Sequence, residues 1–301
     1  MRFLAILNRD GGTLRTTDLD AFGDQMRETL EAAGHELRIE IVGGKEIVSS
    51  LKRASKDEWA EVVLAGGGDG TISAAAAQLM NGDKALALLP AGTMNLFARG
   101  LGLPLSLSDA VAVFAAGKER SVDVGTANGR PFIHQFSIGL HARLVQLRAR
   151  FEYGSRWGKM LASLRAGLAA MADPPSMRVT LEMDGKSIDV STTGIGVSNN
   201  VFGDGHLPYA DEPDGGVLGV YVAKAATRAD LAWVFLAMSA GRWSATDKLE
   251  THQARNVKLT IRSPIGRHRC VVDGELCTLE RDTVVEIHPG VLRVLVPSEV
   301  G

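Results

Sequence analysis

The sequence predicts an α/β domain built on a parallel sheet, followed by a β-rich, antiparallel, sandwich-like second domain. Two patterns carry this expectation. Over the first 125 residues, short apolar runs alternate with segments of helical period, an order that gives a parallel sheet covered on both faces. After about Val124, β-rich runs follow one another between turn dipeptides, as in antiparallel sandwiches. A chain of 301 residues has room for both.

The elements follow in order. Phe3–Leu7 is an apolar strand and the stretch from about Asp18 to Ala33 a helix; Glu36–Val42 is a strand and Lys45–Ser55 a helix. Glu61–Ala65 is a strand leading to an alanine-rich helix at Thr71–Met80, and Ala85–Leu89 is a strand followed by helices near Met94–Leu101 and Ser108–Ala116. In the second half, strands are expected at Pro131–Ile138, Met177–Met183, Ser187–Ser198, Val217–Ala223, Val257–Ile261, His268–Val272, Val284–His288 and Leu292–Val296. Asp184-Gly185, Asp273-Gly274 and Pro289-Gly290 separate some of these as turns. Two helices interrupt the series, near Ser155–Met171 and Arg228–Gly241. The expected boundaries are 1–125 for the α/β domain and 126–288 for the β-rich domain, with the closing segment, about 289–301, left open to pack back on the first.

Composition narrows the function classes. The content is 45% apolar and 23% charged, as in an ordinary globular protein, and the formal net charge is −2. No global basic field points to nucleic acid. Only six residues separate Arg2 from Arg9, too few for the apolar core of a signal peptide. No run approaches the ~18 apolar residues that cross a bilayer, so work on a lipid is expected from the membrane surface. The two cysteines, Cys270 and Cys277, fit a cytosolic chain. A two-residue Asp273-Gly274 turn places them opposite one another at a hydrogen-bonded pair, where Cβ atoms diverge and two free thiols are expected. The histidines lack metal-ligand spacing, so no zinc site is expected.

The sharpest local signal is Val62–Ser73. A buried strand runs into Gly66, Gly67, Gly68 and Gly70 around Asp69, then directly into a helix beginning at Thr71-Ile72-Ser73. Glycines let backbone N–H groups approach an anion, and the helix N-terminus adds partial positive charge. Thr71 can cap the helix or bond a phosphate oxygen. The pattern is neither a Walker loop nor a spaced GxGxxG. The plainer alternative is a tight turn with Asp69 as turn former. A second strand-turn-helix element, Leu88–Arg99, brings Gly92, Thr93 and Asn95 to an adjacent turn. Two such turns at one sheet edge form a crevice that suits a nucleotide, although Thr93 and Asn95 could equally be helix caps.

GGGDGTIS followed by PAGTMNLFAR resembles the paired nucleotide-binding motifs of the diacylglycerol kinase catalytic-domain family, whose fold is shared with NAD kinases. Ser121–Gly125, Phe136–Gly139, the loop from Asn199 to Asp214-Gly215, and Val272-Asp273-Gly274-Glu275 are similar to later motifs of that family in the same order. The resemblance implies an ATP- and Mg²⁺-dependent lipid kinase acting on diacylglycerol or a related lipid such as ceramide or a sphingoid base. It implies that Gly67, Gly68, Asp69, Gly70, Thr71, Ile72, Ser73 and Thr93 line the ATP site, with Gly66, Gly92, Asn95 and Asn8 beside them. It also implies a Mg²⁺ site at Asp211, Asp214 and the Gly216 carbonyl, where a solvated acidic turn is the alternative. The chain departs from the family in Asn8-Arg9, where Asn-Pro is usual, and in Asn95-Leu96, where Asn-Asp is frequent.

Phosphoryl transfer requires positioning, charge neutralisation and a base for the hydroxyl proton. Asp69, Asp273 and Glu275 are the expected catalytic carboxylates, with Asp69 organising Mg²⁺·ATP and either Asp273 or Glu275 as base. The hairpin tip is expected to face the glycine turn across the cleft between the domains. The basic and aromatic stretch 143–171 is expected to touch anionic headgroups, and the same pattern also suits a helix packed on the sheet. A cytoplasmic location at the inner face of the membrane follows. An NAD kinase-like enzyme and a catalytically silent nucleotide- or lipid-binding protein are the alternatives.

Overall fold

The computed structural model of the chain describes residues 1–149, 176–224, 227–239, 241–242, 246–263 and 269–298. These fall into two compact units. The first comprises Met1–Val124, Tyr209–Gly215 and His288–Gly301; the second comprises Gly125–Pro208 and Gly216–Ile287. The segment Tyr209–Gly215, which the sequence places in the β-rich half, thus belongs to the first unit.

In the first unit, β1 (Arg2–Asn8), β2 (Glu36–Val42), β3 (Val62–Gly67) and β4 (Ala85–Pro90) form a parallel sheet in the order β2-β1-β3-β4. Every residue of β3 and β4 is buried. That is the pattern of a parallel strand covered on both faces. The cover comes from α1 (Leu19–Ala32), α2 (Ile47–Ala54), α3 (Asp69–Leu79) and α5 (Leu107–Ala116), with the short α4 (Leu96–Gly100) between the last two. The Asp18 side chain caps α1 by accepting from the Ala21 N–H at 3.2 Å. The helix then buries Phe22, Met26 and Leu30 at helical spacing.

The expected helix from Met94 shrinks to Leu96–Gly100, because Asn95 lies in the left-handed region at φ 49°. No α-helix continues through that conformation.

In the second unit, β5 (Lys118–Ala127) enters from the first and pairs with β6 (Arg130–Phe132) through an Asn128-Gly129 turn. Six antiparallel strands form one sheet: β7 (Gln135–Gly139), β10 (Gly194–Asn199), β11 (Leu218–Ala223), β12 (Leu249–Ala254), β14 (Arg269–Val272) and β15 (Glu275–Thr278), in the order β12-β11-β10-β7-β14-β15. The facing layer contains β8 (Met177–Met183), β9 (Lys186–Thr192), β13 (Asn256–Ile261) and the first part of β16 (Asp282–Val296). Phe136, Ile138, Val197 and Val220 share one buried cluster with Val179, Leu181, Val257 and Leu259. Among the described residues the unit also holds helices α6 (Leu140–Ala149) and α7 (Arg228–Ser239).

Three further expected elements differ, each because of the groups or strands it pairs with. The run Pro131–Ile138 is two strands, because the N–H groups of Ile133, His134 and Gln135 all donate to the Asp273 carboxylate rather than to a ladder. The run Ser187–Ser198 divides at Thr193 into β9 and β10, which join different sheets. Pro289-Gly290 is not a hairpin turn: Asp282–Val296 is one strand, antiparallel to β13 at its start and parallel to β4 at Val294↔Leu86. Gly290 adopts φ 66° and its N–H donates to Asp123 Oδ1 at 2.9 Å, so the glycine bends the strand without ending it. The helix expected at Ser155–Met171, and residues 150–171 of the basic aromatic stretch, lie outside the described residues.

Candidate active site

In the first unit, β1, β3 and β4 end side by side, and each runs into a turn that contains glycine. The turns approach one another too closely for side chains. A Cβ on Gly12 would lie 1.8 Å from the Ala91 carbonyl oxygen, and one on Gly67 would lie 2.4 Å from Thr71 Oγ1. One on Gly92 would meet Asn95 Oδ1 at 2.7 Å and Gly68 Cα at 3.0 Å. Backbone bonds lace the turns together: Thr13 N–H donates to Ala91 O at 2.8 Å and Ala91 N–H to Gly67 O at 3.0 Å. Gly70, by contrast, has open space where a side chain would project. The result is a bare main-chain surface that leads into the N-terminus of α3, suited to an anion. This cradle of glycine backbone fits a nucleotide's phosphates.

The predicted side chains around the cradle mostly hold it in shape. Asp69 accepts from Leu96 N–H at 3.0 Å through Oδ1 and from Asn95 N–H at 3.2 Å through Oδ2. It therefore braces the second glycine turn against the first. Asn95 accepts from Gly92 N–H at 2.8 Å and donates to the Pro90 and Gly92 carbonyls at 3.2 and 3.1 Å. Its side chain clamps the turn, a role distinct from the helix cap considered above. Asn8 donates to Thr71 Oγ1 at 3.2 Å, tying the end of β1 to α3. Thr71 and Ile72 are buried, and Ser73 is half-buried on the same helix. Thr93 is exposed beside Gly92.

The Asp211–Asp214 loop is held by Arg120, whose Nε and Nη2 reach Asp214 Oδ2 and Oδ1 at 2.9 and 2.6 Å. The guanidinium keeps the Asp214 carboxyl below the usual carboxylate range. Both oxygens of Asp214 face a cation already, so this arrangement does not fit Mg²⁺ on the same atoms. Gly216, at φ 73°, belongs to the second unit. Among the described residues, no group of three or more acidic, histidine or cysteine side chains could hold a metal. Asp123, singled out only as part of a motif, is buried, and its carboxylate accepts from Gly290 N–H at 2.9 Å.

In the second unit the Asp273-Gly274 turn forms as expected, with φ 45° and 83°. The two carboxylates of the motif differ sharply. Asp273 Oδ1 accepts from His134 and Gln135 N–H at 2.9 and 3.0 Å, and Oδ2 from Ile133 N–H at 2.9 Å. Three backbone donors thus hold the charged form of this carboxylate in place. Glu275 is exposed, and only its Oε2 is engaged, by Arg130 Nη2. Arg130 also donates to Cys277 Sγ at 2.9 Å through Nη1. Sequence reasoning passed over Arg130, although the Asn128-Gly129 pair before it is a strong hairpin signal.

Cys270 sits opposite Cys277 as the register predicts, and both thiols are free. Burial pushes the Cys270 thiol up to about 11. Because the thiolate is the reactive form, iodoacetamide at neutral pH is expected to label Cys277 well before Cys270, as peptide mass spectrometry would read directly. Equal labelling would mean that the hairpin opens.

His141 on α6 lies 2.6 Å from the Ser137 hydroxyl through Nδ1, and desolvation pushes its pKa below the ordinary 6.5. Protonating it costs more in the folded state than in the unfolded chain. Its contribution is fully present above pH 6.5 and is lost as pH falls from there toward the folded pKa. His141→Gln is expected to flatten the fall in denaturant midpoint across that acidic window; an unchanged slope would assign it to other groups.

Similarity to known proteins follows the same division. The profile of the diacylglycerol kinase catalytic domain matches residues 2–127, and that of the YegS C-terminal NAD kinase beta sandwich-like domain matches residues 137–296. An uncharacterized Synechocystis protein is 27% identical over 271 residues, which span 85% of this chain and 60% of that relative. A Bacillus subtilis diacylglycerol kinase is also 27% identical over 271 residues, covering 85% of this chain and 88% of that enzyme. The crystal structure of a Bacillus anthracis diacylglycerol kinase superposes with a TM-score of 0.74 at 18% identity, covering 100% of this chain and 98% of that one. At that identity the likeness concerns the fold. With both profiles matched in sequence order, the chain belongs to the lipid kinase family that joins a diacylglycerol kinase catalytic domain to a YegS-type β-sandwich domain.

Proposed function

We propose that this lipid kinase transfers the γ-phosphoryl group of ATP, bound as its Mg²⁺ complex, to a hydroxyl of a diacylglycerol-class lipid at a membrane surface. The observation that carries the proposal is the set of side-chain-free turns at Gly11-Gly12, Gly66–Gly68 and Gly92, which leave backbone N–H groups and the start of α3 to receive phosphates. Asp69 positions these turns, and Glu275 is the base for the lipid hydroxyl. ATP·Mg²⁺ supplies the transferable phosphoryl group. No step is assigned to a resident metal in the Asp211–Gly216 loop, because Arg120 holds Asp214. The diacylglycerol kinase named among the relatives supports the substrate class. Among the described residues, no helix is long and apolar enough to cross a membrane, in keeping with a substrate met at the surface.

The test is ADP release from ATP with diacylglycerol, ceramide, a sphingoid base or NAD offered in mixed micelles. Turnover with diacylglycerol exceeding that with the others is expected. Turnover with NAD alone would overturn the lipid assignment in favour of the soluble-substrate alternative.

A further inference from the structure

A second polar site lies on the outer face of the second unit, apart from every residue given a kinase role above. Along β8, Met177, Val179, Leu181 and Met183 turn into the core, so Arg178, Thr180 and Glu182 take the opposite face. The register sets Arg178 opposite Ser191 and Thr180 opposite Asp189 on β9. From the other side, the backbone N–H of Arg262, just past β13, donates to the Arg178 carbonyl at 2.8 Å. Two arginines therefore stand side by side at one end of this sheet. A cleft of about 570 Å³ is lined by Arg178, Thr180, Ser187, Asp189, Ser191 and Arg262, together with Val179 and Val190.

The charges in this cleft are not compensated. Elsewhere in the chain, Arg2, Arg27, Arg53, Arg120, Arg130 and Arg293 each reach a carboxylate. Arg178 and Arg262 reach none among the described residues. Arg262 Nε is fixed by Thr180 Oγ1 at 2.8 Å, which aims the guanidinium and leaves its two terminal nitrogens without a partner among the described residues. Thr180 in turn donates to Asp189 Oδ1 at 2.6 Å. The Asp189 carboxylate is thus oriented by a hydroxyl and, among the described residues, neutralised by no cation within 4.0 Å.

We infer that this cleft binds a phosphoryl group that carries a neighbouring free hydroxyl, as a glycerol phosphate does. Two guanidinium forks match phosphate oxygens in geometry and charge. The Ser191 hydroxyl, opposite Arg178, can donate to the same oxygens. Asp189 would repel a bare phosphate, but it supplies the acceptor for a hydroxyl on the ligand. The same chemistry is presented by a soluble glycerol phosphate and by the headgroup of phosphatidylglycerol.

The experiment uses the full chain with two arms. Binding of sn-glycerol 3-phosphate and of inorganic phosphate is measured by calorimetry or by NMR shifts. Association with phosphatidylcholine vesicles is measured with and without phosphatidylglycerol. In Arg178→Gln/Arg262→Gln, glycerol phosphate binding is expected to weaken at least tenfold, since charge-assisted bonds are the strong ones. Arg178→Lys/Arg262→Lys should keep part of it, and Asp189→Asn should reduce the preference for glycerol phosphate over inorganic phosphate. Parallel loss of phosphatidylglycerol-dependent vesicle binding, roughly fivefold per arginine removed, would identify the lipid headgroup as the source. Loss of soluble binding alone would identify a soluble phosphate. If the glutamine variant binds glycerol phosphate like the unaltered chain, or if the unaltered chain does not bind it, the inference is wrong. ADP release in micelles lacking anionic lipid should be the same in all variants, so failure of this site and failure of the kinase assignment read out separately.

Discussion

Glu275→Gln is expected to lower the turnover of lipid phosphorylation about a thousandfold, within the range assigned to a positioned general base, while the KM for ATP stays close to its original value. The side chain is exposed and contacts one partner, Arg130, so the substitution should leave the melting temperature nearly unchanged. Asp273→Asn provides the contrast. Asp273 receives three backbone N–H groups, and an amide there would set an NH2 donor against at least one of them. That variant should lose stability by about 1–3 kcal/mol, the cost of unsatisfied buried donors, whatever its effect on rate. Thermal melts and steady-state kinetics on both variants separate the roles. If Glu275→Gln turns over normally while a folded Asp273→Asn does not, the base is Asp273.

Asp69→Ala is expected to reduce turnover about a hundredfold or more, for a different reason. The carboxylate carries two backbone N–H groups from Asn95 and Leu96, and it is the only side chain described as spanning from the α3 turn to the α4 turn. Without it the Gly92–Asn95 turn loses its brace, and a displacement of about 1 Å at a reacting group costs on the order of 100-fold. The melting temperature should fall modestly, because Asn95 retains its own bonds to Pro90 and Gly92. A raised KM for ATP, read with the lipid at saturation, would accompany the loss of turnover. Full activity in a folded Asp69→Ala protein would show that the glycine turns are not where phosphate is held.

Much of the first unit was legible because its signals are local. Alternating strand and helix periods, glycine after β3, and a capped α1 each depend on residues close in sequence. The strand Glu36–Val42 and the strand Met177–Met183 fall where the pattern puts them. The Asp273-Gly274 and Asp184-Gly185 turns were equally plain, since two consecutive positive φ angles are affordable only to such pairs. Errors arose where a long-range partner overrode local chemistry. Pro289-Gly290 reads as a turn, yet Asp123 and β4 claim the chain beyond it. The run Pro131–Ile138 reads as one strand, yet Asp273, far along the chain, takes its central N–H groups.

The sequence by itself determined the class of fold, the order of its two parts, and a run of bare glycines between β3 and α3, because backbone clearance and hydrophobic period are properties of neighbouring residues. Tertiary structure alone decided what each carboxylate does. Asp69, Asp273 and Asp214 are chemically alike, but one braces a turn, one receives three backbone donors and one is held by Arg120. An oxygen's remaining capacity to accept a proton or a cation depends on which donors the fold brings to it, and those donors lie tens of residues away.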